Sequence, residues 1–253
     1  MKRFLLKAIF AGAGVILASS AGVRADVLYQ NTGTSLGTVL GGFNNGQQIG
    51  EEIWLGTLVP EYLTNFSFEY YSPDATWTGS PQGANFIGAE IRFYENNGPL
   101  FNGYASPGTL FYDSGLLAFP NPQWYNGNSL SNTLTAIFSL SDLQSPPGGS
   151  ALDSNFVLPT NFTFTITFSG LTGTESVGLP NYNPPQSGTN YSDYWYDSSG
   201  TWQLLTNASL GPVAFGAQFN GSPTPTPEPT VLCLGALGGM ALGFVARRRQ
   251  SRG

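Results

Sequence analysis

The sequence has no histidine, one cysteine (Cys233) and two lysines, Lys2 and Lys7. Without histidine, a Ser-His-Asp triad, a Cys-His dyad and an imidazole metal site are all excluded. One cysteine rules out a disulfide framework within the chain and a Cys-rich zinc site. With no lysine beyond residue 7, the body has neither a P-loop lysine nor a Schiff-base lysine. No Gly-x-Gly-x-x-Gly sits on a strand-to-helix turn. Charge is also scarce: 9% of residues are charged, against about 25% in an average soluble domain. It is unevenly placed as well. Between Asp26 and Pro229 a single base, Arg92, faces all 15 carboxylates, a net charge of -14. That excess argues against nucleic acid or an anionic surface as a partner.

The remaining bases cluster at the two ends. Lys2, Arg3 and Lys7 precede an apolar run from Ala8 to Ala18, and small residues follow to Val23-Arg24-Ala25. A basic start, a short apolar stretch and a small-x-Ala ending predict a Sec-type signal peptide over residues 1–25, cleaved after Ala25. An amphipathic N-terminal helix is the alternative, but the run is apolar on all sides. Near the other end, Ser222 to Pro227 alternates Pro and Thr, too Pro-rich for a helix or central strand. Residues 221–229 therefore form a linker. From Thr230 to Ala246 the chain is apolar, Gly-rich and uncharged, and Arg247-Arg248-Arg249 follows. Seventeen residues at 1.5 Å each span about 25 Å, the short end of a bilayer crossing. The arginines would hold their end on the cytoplasmic side.

At this junction stands Pro227-Glu228-Pro229. Pro-Glu-Pro, a short apolar helix and a terminal Arg cluster resemble the PEP-CTERM sorting signal, carried by exported proteins of Gram-negative bacteria, many of which make exopolysaccharide. The resemblance covers about the last 27 residues. It implies that an exosortase-type membrane protease recognises Pro227, Glu228 and Pro229 and removes the tail at residues 230–253. An ordinary tail anchor behind a Pro-rich stalk is the alternative. Gly235, Gly239 and Gly243 match a helix-packing spacing, and Cys233 could be acylated; plain apolar filler accounts for both.

The body, residues 26–220, shows strand alternation and almost no helical periodicity. In Asn161-Phe162-Thr163-Phe164-Thr165-Ile166-Thr167-Phe168, the aromatics and Ile166 fall on one face and the threonines on the other, a half-buried strand. Asn65–Tyr70 and Ala89–Tyr94 repeat the pattern. Further strands are expected at Val27–Gln30, Gln48–Trp54, Thr109–Tyr112, Leu134–Leu140, Val177–Leu179, Tyr191–Tyr196, Trp202–Leu205 and Val213–Phe219. Turn signals at Asn97-Gly98-Pro99, Asp113-Ser114-Gly115, Asn126-Gly127 and Pro146–Gly149 separate them. The fold class that follows is all-β, an antiparallel β-sandwich or jelly roll. It would be flanked by an N-terminal signal helix and a C-terminal transmembrane helix.

Candidate sites in the body are few. Tyr191 to Trp202 reads as a hairpin turning at Asp197–Gly200, with Tyr191, Asp193 and Trp195 on one face and Ser192, Tyr194 and Tyr196 on the other. Aromatics on both faces allow one to be core and the other to stack on a sugar ring. Trp124 and Trp77 sit in Gly/Asn/Pro-rich loops, where function often resides. Glycan contacts are thus sought at Trp124, Tyr194, Trp195 and Trp202, against the alternative that all are packing residues. Glycoside hydrolysis needs two carboxylates at a set separation. Glu51 and Glu52 are adjacent and point to opposite strand faces, and Glu69, Glu90 and Glu95 have no evident partner. Glu90 and Arg92, two apart on one strand face, suit a modest exposed ion pair. Asp153-Ser154-Asn155, or Asp193 with Asp197, could contribute to a calcium site, though all read equally as turn formers.

The sequence thus predicts an exported, non-catalytic protein with no cofactor and no metal. Its expected partners are the Sec machinery, an exosortase-type protease and the membrane through the C-terminal helix. Extracellular polysaccharide is a further candidate partner. The expected destination is the cell surface or extracellular matrix of a Gram-negative bacterium. A carbohydrate-binding module and a glycan-cleaving enzyme are the alternatives. Exchanging Phe164 and Thr165 is expected to put an aromatic in water and a hydroxyl in the core. The expected loss is about 3 kcal/mol or more, read as a large fall in Tm; a change within a degree or two would overturn the strand assignment.

Overall fold

The computed structural model describes residues 25–71, 88–118, 123–124, 133–139, 156–171, 177–206 and 213–224. The signal segment before Ala25, Pro227-Glu228-Pro229, Arg247-Arg248-Arg249, Trp77 and Asp153–Asn155 lie outside them. Among the described residues every element is a strand. One sheet contains β1 (Asp26–Gln30), β2 (Ser35–Gly41), β4 (Glu61–Tyr71), β9 (Gln123–Trp124), β10 (Thr133–Ser139), β11 (Val157–Leu158), β13 (Gly178–Tyr182) and β17 (Ala217–Ser222). Its main path is β1-β17-β4-β10-β9. The second contains β3 (Gln48–Trp54), β5 (Gly88–Tyr94), β8 (Leu110–Ala118), β12 (Asn161–Ser169), β14 (Thr189–Asn190), β15 (Tyr194–Asp197) and β16 (Gln203–Leu205), in the order β16-β15-β3-β12-β5-β8. A small ribbon, β6 (Leu100–Phe101) with β7 (Tyr104–Ala105), stands apart. The pairings are antiparallel, and the two large sheets stack into a sandwich-like body.

Alternation decides which side chains meet between the sheets. Phe66 and Phe68 on β4, Phe138 on β10 and Phe219 on β17 face Phe93 on β5 and Phe162, Phe164 and Phe168 on β12, all buried. Phe66 packs against Phe219 at 4.5 Å between ring centroids and meets Phe93 and Phe164 edge-on at 5.8 and 5.9 Å. Phe219 reaches across to Phe162, Phe164 and Phe93 at 5.3 to 5.6 Å. Such tilted and edge-to-face contacts add to the area term for burying large rings. They form one continuous seam through the middle of the body.

Three expectations need correction. The Asp113-Ser114-Gly115 turn is a bulge inside β8: the register steps from Glu90↔Leu116 to Arg92↔Asp113 and the strand continues. Gly115 has φ +59°. The Ser114 hydroxyl accepts the Ile91 N–H at 2.8 Å, and Asp113 accepts that of Gly115 at 2.7 Å, so side chains replace the interrupted ladder. Second, the threonine face of β12 is not exposed; Thr163 and Thr165 are as buried as the phenylalanines. Third, Glu90 and Arg92 do pair, at 2.8 Å, but Asp113 joins at the same distance and the group is mostly shielded from solvent. Burial alone would raise the Asp113 carboxyl; the Gly115 N–H and the Arg92 guanidinium outweigh it and hold Asp113 below the ordinary range.

The interior also holds carboxyl groups without a nearby base. Glu51 lies on the core face of β3. It accepts the Phe215 N–H at 2.7 Å, the Asn190 amide at 2.6 Å and the Tyr29 hydroxyl at 3.2 Å. Burial nevertheless pushes it up to about 8, the three donors offsetting only part of the desolvation. Glu52, on the opposite face as the sequence predicts, is raised to about 7 by burial. Glu69, bonded by the Tyr182 hydroxyl, is also raised by burial. A carboxyl whose folded pKa exceeds its unfolded value contributes fully below the unfolded pKa, and that contribution is lost as pH rises. Stability should therefore fall between about pH 4.5 and pH 8, by an amount on the order of a few kcal/mol. The check is Tm against pH for the wild type and Glu51→Gln: the variant should show a shallower slope, with Glu52 and Glu69 supplying the rest. Equal slopes would remove Glu51 as a source.

Candidate functional site

Register shows which side chains share the outer face of the second sheet. Trp195 is opposite Gly50, Gly50 opposite Thr165, Thr165 opposite Arg92 and Arg92 opposite Asp113. The neighbouring row runs Glu52, Thr163, Tyr94. The next in the other direction runs Asp197, Gln48, Thr167, Glu90. Cross-strand partners point to the same side, so this face carries three threonine hydroxyls, the Gln48 amide and two aromatic rings together with Arg92 and the carboxyls of Glu52, Glu90, Asp113 and Asp197. Gly50 is required within it: a Cβ there would meet the methyls of Thr165 and Thr163 at 2.8 and 3.0 Å. The Tyr94 hydroxyl donates to Gln48 at 3.0 Å, and the Thr163 hydroxyl to Asn96 at 2.7 Å.

Two hairpins reach over this face, one as an excursion from the β5–β8 side and the other by the turn of the strands that form the opposite edge. One is the excursion between β5 and β8. Its base is tied by Asn97, whose amide donates to Glu95 at 2.7 Å and Thr109 at 3.0 Å while its oxygen accepts the Thr109 N–H at 2.8 Å. Its tip is Asn102-Gly103, with φ +53° and +89°. Both centres of a two-residue hairpin loop must be left-handed to match strand twist, and Asn-Gly meets that demand best. The other hairpin is β15–β16, with Trp195 opposite Leu204 and Tyr196 opposite Gln203. Its turn is organised by one Asp197 carboxylate oxygen, which accepts the N–H groups of Ser199, Gly200 and Thr201 at 2.8, 2.6 and 3.0 Å.

The tips pack onto the far side of the sheet through aromatic edges. Phe101 meets Trp195 at 6.5 Å, and Tyr104 meets Tyr191 at 4.7 Å, which in turn meets Trp54 at 4.7 Å. From the other side, Trp202 meets Tyr94 at 5.5 Å. Between them opens a cleft of about 560 Å³, lined by Pro99, Leu100, Phe101 and Ser106 on one wall and Gly200, Thr201, Trp202 and Gln203 on the other. That size falls within the ordinary range for small-ligand sites. Leu100 and Phe101 remain 74% and 37% exposed despite their apolar character.

No family model, curated protein or solved structure matches the chain. The site must be read from its own residues.

Of the four aromatics singled out in the sequence, Trp202 lines the cleft. Tyr194 and Trp195 are corrected: they are only 9% and 1% exposed, Tyr194 on the core side against Phe215 and Trp195 beneath the first hairpin, so neither offers a ring face to a sugar. Trp124 lies on β9, across from Leu134, and its side chain is outside the described residues. Asp197 is committed to its turn rather than to a cation. Among the described residues no three acidic or thiol groups gather at metal-binding distance. Glu52, with its raised pKa, shares its row with Thr163 and Tyr94 and not with a second carboxylate. Two-carboxylate chemistry lacks its partner there.

Sequence reasoning missed Leu100, Phe101, Ser106 and Gln203. A signal for the first pair was present: Asn102-Gly103 between Leu100-Phe101 and Tyr104-Ala105 is a two-residue hairpin pattern. Replacing Asp197 by Ala removes the acceptor of three turn N–H groups. The expected cost is about 1–2 kcal/mol, with faster amide exchange at Ser199, Gly200 and Thr201 and little change at β12. Unchanged exchange at these three amides would contradict the role given to the carboxylate.

Proposed function

We propose that this is an exported, non-catalytic protein with a β-sandwich or jelly-roll body, delivered to the cell surface or extracellular matrix of a Gram-negative bacterium. A Sec-type signal peptide ending at Ala25 starts export. The tail from Thr230, arrested by Arg247-Arg248-Arg249, holds the chain at the membrane until an exosortase-type protease acts at Pro227-Glu228-Pro229.

The observation that carries this reading is the placement of the first and last described strands. β1 starts at Asp26, directly after the expected cleavage site, and β17 runs through Ser222, so Gly221 and Ser222, expected in the linker, belong to the sheet and the Pro-Thr stretch follows directly. The two strands pair, with Asp26 opposite Gly221, so both ends leave the body side by side. Removal of both proposed addresses would leave this sheet intact. Several carboxylates in the body already have structural roles: Glu51 in the core, Glu90 and Asp113 on Arg92, Asp197 in its turn. The described lining of the cleft contains none. This supports a binding or structural role over hydrolysis.

The test is fractionation in an exporting host. Changing Pro227, Glu228 and Pro229 together to Ala should leave a membrane-bound precursor and deplete the released form. A stop codon at Thr230 should free the body from the membrane fraction. If neither variant alters the distribution, the sorting role is wrong.

A further inference from the structure

We propose that the cleft between the two hairpins binds an uncharged saccharide, with Trp202 as the stacking platform and Phe101 as the facing wall. This goes beyond the export route, which it neither requires nor tests. Trp202 is held edge-on against Tyr94 at 5.5 Å and is only partly covered, so its ring is positioned while still reaching solvent at the cleft. Phe101 and Leu100 face it from a hairpin braced at its base by the Asn97 bonds and at its tip by Tyr104 on Tyr191. Exposed apolar groups on a braced hairpin are costly to leave in water, and their position in a concave site points to an occupant with an apolar face.

The polar groups narrow the class. Ser106 and Thr201 line the cleft with residues whose hydroxyls donate and accept, matching sugar hydroxyls. No lining residue carries a positive charge to meet a phosphate, sulfate or carboxylate, and the chain from Asp26 to Pro229 is net -14. A planar aromatic wall and neutral donor-acceptors, on a chain that is net acidic, together fit a neutral pyranose chain.

The test uses the full-length chain in a polyoxyethylene detergent, which carries no sugar. Calorimetry with cellohexaose, xylohexaose and mannohexaose, and with a hyaluronan hexasaccharide as the anionic comparison, should show that at least one neutral sugar binds. It should bind more tightly than hyaluronan and alter tryptophan fluorescence. Trp202→Ala should weaken that binding about tenfold or more, Phe101→Ala should weaken it less, and Trp202→Phe should retain most of it. Thr201→Ala, at an exposed position, probes the same cleft if Trp202→Ala fails to fold. The proposal is overturned by no binding of any neutral hexasaccharide, by stronger binding of hyaluronan, or by binding unchanged in folded Trp202→Ala or, failing that variant, in Thr201→Ala.

Discussion

Everything in this body rests on the phenylalanine seam between the sheets. With a single base between Asp26 and Pro229 and no disulfide, neither ion-pair networks nor covalent staples can hold the fold. The load falls on apolar area, and Phe66, Phe93, Phe162, Phe164 and Phe219 supply it by crossing from one sheet to the other. Large rings suit strands because a pleated surface spaces them two residues apart and lets them meet tilted or edge-on. The seam also sets the register: a one-residue slip of β12 would turn four apolar side chains out of the core and three threonines into it.

Buried carboxyls are the counterweight. Glu51 stands on the core face with three donors and no cation, and those donors do not restore what it loses by leaving water. Its bonds join β3 to Phe215 and to Asn190 on β14, and its link to Tyr29 reaches β1 in the other sheet. The same group that costs stability when ionised therefore ties the two sheets together. Arg92 shows the opposite economy: the one base of the body is shared between Glu90 and Asp113 across two adjacent strands.

The outer face of the second sheet is where packing and proposed function meet. The polar and charged groups there lie beside two hairpins whose turns come from local chemistry, an Asn-Gly turn in one and an aspartate-organised turn in the other. Because each tip is pinned by aromatic contacts to the opposite part of the sheet, the gap between them is a shaped cleft. The proposed saccharide site follows from that shape together with the absence of cationic lining.

The sequence by itself determined the class of fold and much of its detail. Alternation in Asn161–Phe168 and Ala89–Tyr94 located two paired strands of one sheet, and in Asn65–Tyr70 a strand of the other, because side chains reverse at every residue in extended chain and only one reversal buries the rings. The Asp197–Gly200 turn was legible for the same local reason. The Sec-type leader and the Pro-Glu-Pro tail are sequence features too, and the export reading built on them is a proposal. Short pairings such as β6–β7, β9, β11 and β14 carry too few residues for periodicity to register. Tertiary structure alone decided that the threonine face of β12 is covered, that Trp195 is buried while Trp202 is not, and that Phe101 joins Trp202 across a gap. Those outcomes depend on which hairpin crosses which face. Alternation within a strand distinguishes two faces, but it holds no information about what distant segment will lie over either one.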